Sequence, residues 1–103
     1  MKILLACSSG MSTSLLVNKM KEVAKAEGIE AEIWAVGQNQ IENEITKADV
    51  LLLGPQMRFL KSKFAPLGKE LNVPVEVIAP VRYGRCDGKA VLKQAMDLIN
   101  SKN

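Results

Sequence analysis

The chain has 103 residues, and 48% of them are hydrophobic. That length suits one compact domain, residues 1–103, and that hydrophobic share argues against intrinsic disorder. Every apolar run is too short to cross a bilayer, so we expect a soluble, cytoplasmic protein.

The charge balance and the missing residue types narrow the chemistry further. The formal net charge is +3, and the lysines are spread along segments with helical periodicity, so nucleic-acid binding is not expected. The chain contains no histidine, which removes the commonest general base, the commonest metal ligand and any phosphohistidine. Reactivity must therefore come from a thiol, carboxylates, hydroxyls or backbone amides.

Short apolar runs bounded by Gly, Pro or Ser predict the β-strands. The predicted strands are residues 2–7, 29–36, 49–53 and 75–78. The second alternates between apolar and polar residues and is expected at the sheet edge, whereas the third is continuously apolar and is expected at the centre.

Helical periodicity occupies the intervals between these strands. The predicted helices are residues 12–28, 38–47, 56–71 and 89–101. The apolar stripe of the first helix comprises Leu15, Leu16, Met20, Val23 and Ala24. Pro66 is expected to kink or divide the third helix, and residues 80–88 are expected to form a loop.

The order βαβαβαβα predicts a four-stranded parallel sheet with helices on both faces, similar to flavodoxins and low-molecular-weight phosphatases. Ligands of such sheets bind beyond the carboxyl ends of the strands. The loops expected to share that rim are Cys7–Met11, Gly37–Gln40, Gly54–Met57 and Ala79–Gly88.

The loop after the first strand carries the clearest chemical signal. Cys7 ends the strand, and a polar loop with little bulk leads into the helix; it comprises Ser8, Ser9, Gly10, Met11, Ser12, Thr13 and Ser14. The free amides at a helix start attract anions, and small residues let several amides converge. The same setting favours the thiolate form of a cysteine. We therefore predict a nucleophilic sulfur beside a cradle for a phosphoryl group.

Several phosphate chemistries are compatible with a loop cysteine. Low-molecular-weight phosphatases have Cys, five residues, Arg and then Ser or Thr, whereas Thr13 stands here at the position of the arginine. Without that guanidinium, hydrolysis should be slow, and a carrier that hands the phosphoryl group on is favoured. The alternatives are a cysteine phosphatase or arsenate reductase and an FMN-binding module; the last would need aromatic platforms, for which the chain has few residues.

The motifs CSSGMSTSLLVNKM, LLLGPQ and VIAPVRYGRCDG together resemble the IIB components of the lactose/cellobiose class of the bacterial phosphoenolpyruvate-dependent sugar phosphotransferase system. The resemblance implies that Cys7 accepts a phosphoryl group from a histidine of a IIA protein. Phospho-Cys7 would donate it to a β-linked disaccharide, such as cellobiose, lactose or chitobiose, bound by the membrane protein IIC. The loop amides of residues 8–14 would hold the phosphoryl oxygens. No cofactor or metal is implied, and contact with the membrane would occur only through IIC.

Other residues at the predicted rim allow more than one interpretation. Gln56 and Tyr83 could line a partner surface, or could cap a helix and pack a loop. Asp87 is interpreted as a turn or N-cap residue before the last helix, and Cys86 as incidental. The arginines that could steer an acidic partner are Arg58, Arg82 and Arg85. Trp34 is expected to pack against a helix.

Overall fold

The structure, a computed structural model, describes residues 1–8 and 13–102. Its four strands are all parallel and lie in the order β2-β1-β3-β4. The strands are β1 (Lys2–Cys7), β2 (Glu32–Gly37), β3 (Val50–Leu53) and β4 (Val75–Val77). The predicted class, with an edge position for the second strand and a central position for the third, is confirmed.

Helices fill the connections between the strands. The α-helices are α1 (Ser14–Ala26), α2 (Ile41–Glu44), α3 (Lys61–Leu71), α4 (Pro80–Gly84) and α5 (Gly88–Asn100). Short 3-10 segments, Gln38–Gln40 and Ile45–Lys47, flank α2, and a longer one, Pro55–Leu60, precedes α3. Ile41 and Ile45, four positions apart in the predicted second helix, are fully buried.

Alternation along β1 divides the core into two layers. Ile3 and Leu5 pack with α1 and α5 on one face of the sheet, whereas Leu4 and Ala6 pack with residues of α2 and α3 on the other. Side chains in a strand point alternately to the two faces. Cys7, two residues after Leu5, therefore lies on the α1–α5 side.

The stripe predicted for the first helix is wrong at one position. Leu15 is 56% exposed, whereas the neighbouring Leu16 and Val17 are buried. Successive residues of a helix are about 100° apart around its axis, so the face of α1 that buries Leu16, Met20 and Ala24 leaves Leu15 on the solvent side. A run of consecutive apolar residues does not by itself fix which of them faces the core.

Pro66 and Pro80 both lie in helices. Pro66 does not divide the third helix: α3 continues through it. Pro66 and Ser62 are both exposed, so the Ser62 carbonyl, which loses its helical donor, can be solvated. The expected loop over residues 80–88 contains a short helix, α4, which begins at Pro80. Proline suits a first helical position because its missing N–H would have no helical acceptor there.

One helix side chain also reaches the sheet edge. Gln94 of α5 donates a hydrogen bond from Nε2 to the carbonyl oxygen of Val77, at 3.2 Å. Val77 belongs to β4, which is the edge strand opposite β2. The side chain thereby ties α5 to the edge of the sheet.

A close approach between α1 and α5 occurs at Gly88. A β-carbon built on Gly88 would lie 2.6 Å from the carbonyl carbon of Lys19 and 2.8 Å from the amide nitrogen of Met20. Both neighbours are backbone atoms in the middle of α1, which cannot move aside as a flexible side chain does. Only glycine fits where the start of α5 meets α1.

We predict that Gly88→Ala lowers the free energy of unfolding by about 1–3 kcal/mol, because α5 must shift away from the α1 backbone. Urea unfolding followed by circular dichroism measures the change. Gly84→Ala is the matched control, because a β-carbon there would meet nothing within 4 Å. Equal stability of the two variants would contradict the assigned close contact.

Trp34 packs against the second helical region, as predicted. It lies against the core layer that contains Ile41 and Ile45, and its Nε1 donates a hydrogen bond to Glu44 Oε1 at 3.1 Å. Lys47 Nζ lies 2.8 Å from Glu44 Oε2. The hydrogen bond from Lys47, aided by that from Trp34, lowers the pKa of the Glu44 carboxyl below its ordinary value.

This lowered pKa predicts the pH response of the chain's single tryptophan. The folded protein favours ionised Glu44, so this stabilisation is complete above the ordinary glutamate pKa and disappears as the pH falls through the lower folded value. Trp34 emission should therefore change with a midpoint below the ordinary pKa of a glutamate. A fluorescence titration checks this, with circular dichroism to detect unfolding; a midpoint at or above the ordinary value, or an unchanged transition in Glu44→Gln, would contradict it.

Candidate functional site

The candidate site lies at the carboxyl end of β1, between two neighbouring strand ends. Cys7 is in register with Gly37 at the end of β2. On the other side, the amide of Gly54, which follows β3, donates to the carbonyl of Ala6 at 2.9 Å. The connection after β1 leads to β2 and that after β3 leads to β4 on the other side, so this is the point where strand order reverses. Ligands of parallel α/β sheets bind at such points.

The sulfur of Cys7 lies inside the protein rather than at an open rim. Cys7 and Thr13 have no exposed surface, and Cys7 Sγ lies 3.6 Å from Thr13 Oγ1. A nucleophilic sulfur, as predicted from the sequence, must be reached by its substrate, and here it is covered. Residues 9–12, which include Met11, were predicted to belong to the phosphoryl-binding loop. They lie outside the described residues.

Thr13 joins the sulfur to the start of α1. Its carbonyl accepts the amide of Val17 at 2.9 Å, so its backbone is part of the first helical turn. Its hydroxyl is within hydrogen-bonding range of the sulfur, and either atom can be the donor. A hydroxyl that donates to a sulfur stabilises the anionic form, which is the nucleophilic form of cysteine. Ser14, the other described hydroxyl residue of this turn, is exposed.

Gln56 and Tyr83 come together at the same end of the sheet. Gln56 Nε2 donates to the Tyr83 hydroxyl oxygen at 3.4 Å, which links the segment after β3 to the helix after β4. Gly54 makes room for this arrangement, since a β-carbon there would lie only 3.0 Å from Gln56 Oε1. Tyr83 also packs its ring against the α1–α5 core layer.

The remaining rim residues are a helix cap, a second cysteine and three exposed arginines. Asp87 accepts the amide of Ala90 at 3.1 Å through Oδ1 and caps α5, as the turn or N-cap interpretation predicted. Cys86 is a half-buried free cysteine with a φ of 50°, which few residues other than glycine adopt. The three arginines singled out from the sequence, Arg58, Arg82 and Arg85, are exposed.

The exposed apolar side chains at this end of the sheet were not predicted from the sequence. Leu15, Phe59 and Val81 are 56%, 63% and 64% exposed, respectively. Phe59 and Val81 each follow a proline that opens the segment after a strand. Leu15 and Phe59 fell within predicted helices, where nothing indicated their exposure, whereas the position of Val81 directly after Pro80, in the expected loop, was an available signal.

Together, these features define a parallel α/β domain whose first strand ends on a cysteine beside a hydroxyl-rich helix start. Residues 2–94 match the family model "PTS system, Lactose/Cellobiose specific IIB subunit". The chain therefore belongs to the lactose/cellobiose-specific IIB family of the phosphotransferase system, whose members are phosphotransferases. Within residues 1–8 and 13–102, no helix has the length and apolarity needed to cross a membrane.

Relatives of known type agree with this assignment. The chain is 57% identical over 98 residues to the oligo-beta-mannoside-specific EIIB component of Bacillus subtilis (strain 168), with 95% of each chain covered. It is 44% identical to the galactose-specific EIIB component of Lactococcus lactis subsp. cremoris (strain MG1363), again with 95% of each covered. The solution structure of a cellobiose-specific IIB protein from Borrelia burgdorferi superposes with a TM-score of 0.83 at 38% identity, covering 100% of this chain and 94% of that one.

We predict that Thr13→Val slows alkylation of Cys7 by iodoacetamide at neutral pH by about 10-fold or more, since a hydrogen bond to a charged group contributes about 1.5–3 kcal/mol. Valine keeps the shape of threonine but removes the hydroxyl. The rate is measured in a Cys86→Ser background, so that only Cys7 reacts.

Thr13→Ser is the matched control, because it retains the hydroxyl and loses only a methyl group. It should react at nearly the original rate. If Thr13→Ser is as slow as Thr13→Val, Thr13 acts through packing and not through its hydroxyl.

Proposed function

We propose that this protein is a phosphoryl carrier that works through a phosphocysteine at Cys7. The observation that carries the proposal is the position of Cys7 at the strand-order reversal, with the Thr13 hydroxyl 3.6 Å from its sulfur. Family membership supports the same function over the phosphatase and FMN-binding alternatives.

In the first proposed step, the thiolate of Cys7 attacks the phosphorus of a phosphohistidine on the IIA protein. The sulfur–phosphorus bond forms as the nitrogen–phosphorus bond breaks, and the histidine nitrogen leaves. The partner must supply the histidine, because this chain has none. In the second step, a hydroxyl of the sugar held by IIC attacks the phosphorus and releases its proton to solvent; the sulfur–phosphorus bond breaks and Cys7 leaves as a thiolate. The proposed sugar is a β-linked disaccharide or similar oligosaccharide, in line with the relatives' oligo-beta-mannoside and cellobiose types.

Both steps depend on positioning and on electrostatic stabilisation of the transferring group. We infer that amides at the start of α1, in residues 8–14, bind the phosphoryl oxygens, with the hydroxyls of Ser12, Thr13 and Ser14 as further donors. No metal or other cofactor is part of this proposal. We place the carrier in the cytoplasm, where it meets the membrane only through IIC.

The buried sulfur adds one requirement to this proposal. Since Cys7 has no exposed surface, a donor phosphorus can reach it only in a conformation that opens a path to Sγ. β1 is fixed by pairing on both sides, so the opening must come from the surroundings of Cys7 and not from the strand. Transfer is therefore coupled to a local rearrangement at the carboxyl end of the sheet.

Phosphorylation of Cys7 is tested directly by mass spectrometry. The purified protein is incubated with phosphoenolpyruvate, the general phosphotransferase proteins and the cognate IIA. We expect the mass of one phosphoryl group to be added at Cys7. It should be absent in Cys7→Ser and retained in Cys86→Ser, which is the matched control at the other free thiol.

Phosphate on Cys86, or on another residue of the Cys7→Ser variant, would overturn the site assignment. Rapid release of inorganic phosphate from p-nitrophenyl phosphate, lost in Cys7→Ser, would favour the phosphatase instead. In the carrier, that turnover should be negligible because Thr13 occupies the position of the phosphatase arginine.

A further inference from the structure

The most exposed large apolar side chains of the described residues lie at one end of the molecule. Leu15 is in the first turn of α1, Phe59 is in the 3-10 segment after β3, and Val81 is in the first turn of α4. Each is more than half exposed, whereas Met1 and Leu71, the other exposed large hydrophobics, reach only 36% and 38%. Met1 precedes β1 and Leu71 ends the helix that leads into β4, so both belong to the opposite end of the sheet.

Cations accompany these apolar side chains. Arg58 precedes Phe59, Arg82 follows Val81, and Arg85 lies at the end of α4. Among the described residues of the rim segments 13–15, 37–40, 54–60 and 79–88, Asp87 is the one carboxylate. Its Oδ1 is engaged by the amide of Ala90. The exposed rim is therefore apolar with a basic border.

A hydrogen bond connects two parts of this surface. Gln56 lies on the segment that carries Phe59, and Tyr83 lies on the helix that carries Val81; their side chains are bonded at 3.4 Å. A pre-organised apolar surface loses little conformational entropy on binding. Apolar anchors surrounded by polar and charged groups are the common composition of a protein–protein interface.

We propose that Leu15, Phe59 and Val81, bordered by Arg58, Arg82 and Arg85, form the docking surface for the phosphoryl donor. The inference rests on the proposed function, since it names the surface that brings a phosphohistidine to Cys7. The partner that fits is a protein surface with an apolar centre and carboxylates around it. A donor that carries a phosphoryl group brings further negative charge to the basic border.

This surface also gives the donor complex a reason to separate after transfer. A phosphoryl group adds about −1.5 to −2 charges at neutral pH, and transfer moves this charge from the donor to the carrier. After transfer, the arginines face the phosphoryl charge within their own protein, and the donor no longer carries that charge. Attraction between donor and carrier is therefore stronger before transfer than after it.

The test measures phosphoryl transfer from phosphorylated IIA to Cys7 at several donor concentrations, with rapid quenching and mass spectrometry. Phe59→Ala and Val81→Ala should each raise the KM for the donor by about 5-fold or more, as expected for interface anchors. The rate at saturating donor should stay within about 2-fold, because neither side chain takes part in the chemistry. Leu71→Ala is the matched control and should change neither quantity.

A charge-reversal arm tests the basic border. Arg82→Glu should raise the KM for the donor, and the increase should shrink at high salt. Lys69→Glu, on α3 away from the rim, is its control. Circular dichroism and thermal unfolding verify that all variants are folded.

The outcomes separate this inference from the function on which it rests. A raised KM confined to the rim variants supports the docking surface. Normal phosphorylation of Cys7 with unchanged KM in the Phe59, Val81 and Arg82 variants overturns the surface and leaves the carrier function intact. If Cys7 of the unaltered protein receives no phosphoryl group, both the function and the docking surface are overturned.

Discussion

The complete burial of β1 is the constraint on which the rest of the structure depends. Ile3 to Cys7 have no exposed surface, and the strand is paired along its length to β2 and β3. Helices cover it on both faces of the sheet. Moving Cys7 would disrupt these hydrogen bonds and core contacts together, so the position of its sulfur is set by the whole sheet. Only the segments beyond the strand ends are left to adapt to a partner.

A neutral hydroxyl beside that sulfur distinguishes this sequence from that of the low-molecular-weight phosphatases. Thr13 occupies the sequence position where the low-molecular-weight phosphatases have an arginine, and its hydroxyl lies 3.6 Å from Cys7 Sγ. A hydroxyl can assist formation of the thiolate, but it brings no positive charge to the equatorial oxygens during attack by water. A site of this kind suits a group that must persist until a second protein removes it.

The strand pattern could be predicted from the sequence because buried parallel strands are continuous apolar runs with clear ends. The strand predicted over residues 2–7 has the same bounds as β1 in the structure. Asp87 could be interpreted as a capping residue because its position before an amphipathic stripe is a local feature. Local patterns also explain the burial of Ile41 and Ile45. Within the candidate site, the position of Cys7 at the carboxyl end of β1 followed from the end of the apolar run.

Other features depend on contacts that local patterns do not encode. The exposure of Leu15 results from the rotation of α1 against the sheet and α5, which buries Leu16 and Met20 instead. The requirement for glycine at position 88 arises from the backbone of Lys19, far away in sequence. The short α4 has too few residues to show periodicity.

The contact between Gln94 and the Val77 carbonyl has a consequence for the behaviour of the protein in a crowded cell. An uncovered edge carbonyl is a ready acceptor for a strand of another chain, and such pairing can continue into insoluble assemblies. Here β4 is only 3 residues long, and a side chain of its own chain already donates to that oxygen. This edge is thus a poor template for intermolecular sheet growth. Reversible recognition through side chains is therefore favoured over irreversible aggregation.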